Sequence, residues 1–93
     1  MSSSERAALI QARLEEAFHP SDLEVIDESH KHRGHAGAAR GGGHFNVTIV
    51  SNAFTGCPLL KRHRLIYEAL SDLMKTEIHA LSIKAWAPGE YPP

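Results

Sequence analysis

The eight residues His44-Phe-Asn-Val-Thr-Ile-Val-Ser51 constrain this chain most, because they alternate. Phe45, Val47 and Ile49 share one face, with Asn46 and Thr48 opposite. Only an extended strand puts residues two apart on the same side. A strand with one apolar face needs a second layer to cover it, and the flanking segments have the period of helices. Ile10, Leu14, Ala17 and Phe18 fall at i, i+4, i+7 and i+8, which predicts an amphipathic helix over residues 3–18. Ser2 and Glu5 have capping-box spacing at its start, and Pro20 lies just beyond its end. Leu59, Ile66, Leu70, Leu73 and Met74 form a second apolar stripe, so a helix is expected from 59 to 75 with Pro58 at its first position.

Two further strands complete the order. Residues 23–28 read as a short strand, and residues 78–86 as a third, with His79 on the same side as Leu81, Ile83 and Ala85. Phe54 to Pro58 is a turn. Helix, strand, strand, helix, strand is most simply folded as an α+β domain, α-β-β-α-β, whose three-stranded mixed sheet is covered by helices on one face. The first two strands form an antiparallel hairpin with an unusually long connection. At 93 residues and 42% hydrophobic, the chain is long and apolar enough for one globular domain spanning 1–93. Residues 29–44 are expected to be a flexible loop and 87–93 an irregular, proline-rich tail.

That loop holds the densest chemistry. Ser29 to His44 contains His30, His32, His35 and His44, four of the seven histidines, and five of the seven glycines. Imidazole is the commonest biological metal ligand, and loops of this length tend to be functional or disordered. The spacing H-x-H-x-x-H of His30, His32 and His35 matches no closed structural-zinc pattern. His19 falls at the end of the first helix, beside its terminal carbonyls. His63 lies partly on the apolar face of the second helix, a packing position.

The remaining composition narrows the function classes. Net charge is −1 with histidines neutral, against a protein that coats nucleic acid. Lys61-Arg-His-Arg64 is the one basic run, and Lys61, Arg62 and Arg64 are the candidates for phosphate contact. No G-x-x-G, the backbone-clamping loop of KH domains, accompanies them. One cysteine, Cys57, forms no internal disulfide and suits a reducing compartment. No ligand or nucleophile role is assigned to it. No Ser-His-Asp or Cys-His constellation is evident, so no catalytic residues are assigned and the chain is read as a non-enzyme. No apolar run approaches the ~20 residues that span a bilayer, and the amphipathic N-terminus has no signal-peptide core. A cytoplasmic monomer without membrane contact is expected, mitochondrial if a transit peptide has been removed.

With these segments in place, the chain resembles the BolA family over nearly its whole length. The resemblance is carried by Leu23-Glu-Val-Ile-Asp-Glu-Ser29, His44 to Ser51, Phe54-Thr-Gly56, Arg62-His-Arg64 leading into Ile66-Tyr67, and Ile78-His-Ala-Leu-Ser82. It implies a fold like the class II KH domain. It also implies a partner, a monothiol glutaredoxin, with which such proteins share a [2Fe-2S] cluster bound also by glutathione. The family's I-H-A-L ligand falls on His79. Its E-S-x-x-H pattern falls on Glu28-Ser29-His30-Lys31-His32, which implies His32 as the second ligand, with His35 as the alternative, and places the chain in the histidine-type subgroup. The expected function is therefore iron–sulfur trafficking or assembly, or iron and redox regulation. The alternative implied by the same family is a DNA-binding transcriptional regulator of the stress or morphology response, acting through Lys61, Arg62 and Arg64.

Overall fold

The alternating octad becomes the central strand of the domain. A computed structural model of the chain describes residues 2–29 and 42–90. Its elements run α1 (Ser3–Phe18), β1 (Asp22–Asp27), β2 (Gly43–Val50), a 3-10 turn (Asn52–Phe54), α2 (Leu59–Ala69), α3 (Ser71–Thr76) and β3 (Ile78–Trp86). Strand order is β1-β2-β3, with β2 antiparallel to β1 and parallel to β3. The α+β class and the mixed three-stranded sheet are as the sequence predicts. Phe45, Val47 and Ile49 are each 1% exposed or less and meet Ile10, Leu14, Ile66 and Leu70 from the helices. Burying these side chains is the main stabilising contribution, about 1.5–3 kcal/mol for each large one.

The termini of α1 follow from local chemistry. The Glu5 N–H donates to Ser2 Oγ at 3.2 Å, and the Ser2 N–H donates back to the Glu5 carboxylate at 3.1 Å. Two of the helix's four orphan donors are thereby satisfied. At the other end His19 takes the left-handed conformation (φ 44°) and its N–H donates to Glu15 O at 3.0 Å. Beyond β2, buried Ser51 donates from Oγ to Phe18 O at 2.6 Å and accepts from the Ala53 N–H. These bonds pull Phe54 into the core against Phe18, with ring centroids 5.1 Å apart.

The second helical region differs from expectation in three ways. It is two helices, because Leu70 leaves helical geometry (φ −106°, ψ 12°) while remaining fully buried, and Ser71, a poor helix-interior residue, follows it. Pro58 is the N-cap of α2 rather than its first helical residue. Leu59 is 65% exposed and takes no part in the core. The buried stripe of α2 runs instead through Arg62, Ile66 and Leu70, at i, i+4 and i+8. The buried stripe thus includes an arginine that the expected stripe of Leu59, Ile66, Leu70, Leu73 and Met74 leaves out. Among the described residues no helix is long and apolar enough to cross a membrane.

Candidate functional site

His79 leaves the sheet through an irregularity in strand pairing. The register of β2 against β3 runs Gly43↔Ile78 and then His44↔Ala80, so His79 is an extra residue with no partner on β2. Such a bulge reverses the facing of everything that follows. Ile78 is buried at 3%, yet Leu81, three residues on rather than two, also packs against the core. The expectation that His79 shares a face with Leu81, Ile83 and Ala85 is therefore corrected. The bulge turns it outward, and it is exposed.

A second imidazole stands beside it. The ring centroids of His44 and His79 are 5.1 Å apart and tilted by 49°. From sequence alone His44 ranks among the weaker histidines. A signal for it is nonetheless present, since each is the second residue of its strand and the two strands run parallel.

The backbone around this pair is tightly tied. Gly43 N–H donates to Glu77 O at 3.1 Å, joining the start of β2 to the residue before β3. His44 N–H donates to Ser29 Oγ at 3.1 Å, and Glu28 N–H donates to His44 O at 2.8 Å. Ser29 N–H donates to the Asp27 carboxylate, and the Asn46 amide donates to the Glu28 carboxylate. Ser29 and Gly43, on either side of segment 30–41, are thereby anchored near the two rings. His30, His32 and His35 lie outside the described residues.

Glycine is required here for packing. A Cβ on Gly43 would lie 2.5 Å from the Phe45 ring and 2.9 Å from Ser29 Oγ, too close on both sides. Gly43→Ala is expected to cost about 1–3 kcal/mol, the usual penalty for overpacking. Chemical denaturation measures it; an unchanged midpoint would show that Phe45 yields without cost.

Taken as a donor set, the site is incomplete. Among the described residues no group of three or more His, Cys, Asp or Glu could hold a metal ion. Two imidazoles at one edge suit a borderline metal but fall short of four ligands. Cys57 contributes nothing to them. It is half-buried, its thiol faces Ala53 O at 3.6 Å, and its carbonyl is tied by Arg62 to the Ala85 end of β3. Ala85 is six residues from His79, roughly 20 Å along a strand.

The basic run on α2 is divided. Lys61 and Arg64 are exposed, but Arg62 is only 5% exposed. Its Nε donates to Cys57 O at 2.8 Å, Nη1 to Ala85 O at 3.0 Å, and Nη1 and Nη2 to the two carboxylate oxygens of Glu90 at 2.7 and 3.1 Å. The Ala87 N–H donates to the same carboxylate at 2.9 Å. Arg62 is therefore withdrawn from the set of residues able to meet phosphate. Residues 87–90, expected to be part of an irregular tail, form a turn fixed by that arginine. The Arg62 guanidinium, with the Ala87 N–H second, holds the Glu90 carboxyl far below its ordinary range, at about 2, against a smaller opposing effect of desolvation.

Comparison with known proteins places these features in a wider set. The family model described as BolA-like protein matches residues 14–90. SufE-like protein 1, chloroplastic/mitochondrial, of Arabidopsis thaliana is 48% identical over 90 residues, which is 91% of this chain and 24% of that protein. The solved BolA domain of SufE1 from Arabidopsis thaliana superimposes with a TM-score of 0.82 at 49% identity, covering 91% of this chain and 94% of that domain. The DNA-binding transcriptional regulator BolA of Escherichia coli (strain K12) is 42% identical over 82 residues, 88% of this chain and 75% of that protein. This chain spans about a quarter of the SufE-like relative and three quarters of the bacterial regulator.

Proposed function

The chain belongs to the BolA family, and from that premise we propose that it is a non-enzymatic partner of a monothiol glutaredoxin, sharing with it a [2Fe-2S] cluster in iron–sulfur trafficking or assembly, or in iron and redox regulation. The observation that carries this reading is His79, an exposed imidazole turned out of the sheet by a bulge, beside the two anchored ends of a histidine-rich segment. His32 is the second ligand, with His35 as the alternative. His32 is three residues beyond Ser29 in the sequence.

The count of donors explains why a partner is needed. A [2Fe-2S] cluster takes four ligands, and histidine in place of cysteine on one iron raises its potential. The sole cysteine sits toward the other end of the sheet. Two imidazoles from this chain, a partner cysteine and a glutathione thiol complete the set. In this reading His79 and His32 bind, while His44, packed beside His79, limits how that ring turns. The site forms only in the complex, and the compartment is that of the partner. The cytoplasm is the sequence's expectation; the SufE-like relative is named as a chloroplastic and mitochondrial protein. The test is anaerobic reconstitution with a monothiol glutaredoxin, glutathione, iron and sulfide. A one-to-one complex with a visible circular-dichroism spectrum distinct from that of glutaredoxin alone supports the reading. Glutaredoxin retaining its own spectrum in excess of this chain opposes it.

One observation favours a second reading, DNA binding: the Escherichia coli relative is named a DNA-binding transcriptional regulator. With Arg62 committed to Glu90, Lys61 and Arg64 remain. Two phosphate contacts predict a shallow salt dependence, with log K falling by about 2 per tenfold rise in salt. Promoter-fragment binding measured across a salt series checks this; a slope several times steeper would require a different surface.

A further inference from the structure

His79 is an extra residue in its strand, so the ladder that fixes its neighbours does not fix it. Something else must set where its ring stands. The backbone of Gly42 lies directly against it. A Cβ on Gly42 would sit 3.0 Å from His79 Cβ, 3.3 Å from its N and 3.5 Å from its Cα. These are the rooted atoms of His79 rather than the free end of a side chain, so turning the ring would not relieve the contact. Gly42 is itself held, because the next residue's N–H is bonded to Glu77 O on the segment leading into β3. The His44 ring stands beside that of His79 at 5.1 Å.

We propose that Gly42 is a positioning residue for His79: its bare backbone is the surface against which the bulge seats, and any side chain at 42 displaces the imidazole relative to His44. This rests on the reading of His79 as a ligand only for its consequence in the complex. The displacement itself is a property of the free chain. It also gives part of the run Gly41-Gly-Gly43 a steric meaning. Position 43 is bare for Phe45 and Ser29, and position 42 is bare for His79. A methyl at 42 requires His79 to yield by a few tenths of an ångström, and a branched side chain requires more.

The test uses the full chain, metal-free and isotope-labelled, as wild type, Gly42→Ala and Gly42→Val. Imidazole NMR spectra and ring-to-ring nuclear Overhauser effects between His44 and His79 are recorded, with the Trp86 indole at the opposite end of β3 as an internal reference. The expected result is a graded shift of the His79 ring signals, larger for Val than for Ala. The His44–His79 effects should weaken in the same order while the Trp86 signal stays in place. If Gly42→Val does not fold, Gly42→Ala alone decides. Unchanged His79 signals, or Trp86 moving in step with them, overturn the proposal. A second arm separates it from the ligand reading. Suppose His79→Ala leaves the cluster spectrum with glutaredoxin intact while Gly42→Val still moves the His79 ring. Positioning then stands and the ligand assignment falls. If instead His79→Ala loses the cluster and Gly42→Val leaves the ring in place, ligation stands and positioning falls.

Discussion

Replacing Arg62 with alanine is expected to destabilise the domain by about 2–4 kcal/mol, between the loss of charged hydrogen bonds and the breaking of a fully buried ion pair. The guanidinium is 7% exposed at its side chain and makes four hydrogen bonds, to Cys57 O, Ala85 O and both oxygens of Glu90. Removing it strips those donors from two carbonyls and releases the turn at residues 87–90. The Glu90 side chain is 45% exposed, which keeps the loss below that of a pair wholly out of water. Against a total stability on the order of 5–15 kcal/mol for a domain of this kind, the loss is severe. Arg62→Lys should recover part of it, since an ammonium keeps the charge without the planar fork. Urea denaturation of the three proteins reads the order directly. Equal midpoints would mean that the Arg62 contacts contribute nothing net.

The same pair makes a pH prediction with a definite sign. Glu90 is held at about 2 in the folded protein, below its ordinary 4.5. A carboxyl whose folded pKa is depressed stabilises the fold above its unfolded pKa and loses that contribution as pH falls through the folded one. The stability gap between wild type and Glu90→Gln should therefore be constant from pH 7 to 5 and close between about 4.5 and 2. Asp72 and Glu77, held below their usual range first by hydrogen bonds from Arg13 and Arg6, titrate in both proteins and cancel in the difference. A gap that persists at pH 2 would mean that Glu90 acts through shape rather than charge.

Local rules made much of the fold legible. Helix α1 begins and ends where its apolar stripe and capping box place it, because both depend on residues a few positions apart. Strand β3 also has its expected bounds. What stayed hidden depends on partners far along the chain. The bulge at His79 exists only against the register of β2, so counting alternate residues from Leu81 assigns the wrong face. Arg62 lies inside because the Ala85 carbonyl and Glu90, 23 and 28 residues further on, converge on it. Neither contact leaves a period in the sequence. Leu59 looks like core because its type fits the stripe, yet it stands in the first turn of α2 and is left exposed. Of the candidate site, His79 is singled out by a motif. Its neighbour His44 was legible in principle, from two parallel strands that each begin near a histidine. The steric demand for Gly42 and Gly43 was not, since it requires knowing what approaches them.

If the proposed function holds, loss of the cluster shared with glutaredoxin is the other large effect expected. His79 is exposed and outside the core, so His79→Ala should fold with nearly wild-type stability, surface substitutions usually falling within about 0.5 kcal/mol. That separates ligation from folding. Deleting one of two imidazoles leaves the cluster three ligands in the complex, and its visible spectrum should be lost or become far more labile. His32→Ala should weaken it as well, with His35→Ala deciding between the two loop histidines. The decisive measurement is a visible circular-dichroism titration of cluster-loaded monothiol glutaredoxin, with glutathione, by the wild-type chain and by His79→Ala. A new spectrum should saturate at one equivalent of wild type and fail to develop with His79→Ala. The same saturating spectrum from both proteins would show that His79 is not a ligand.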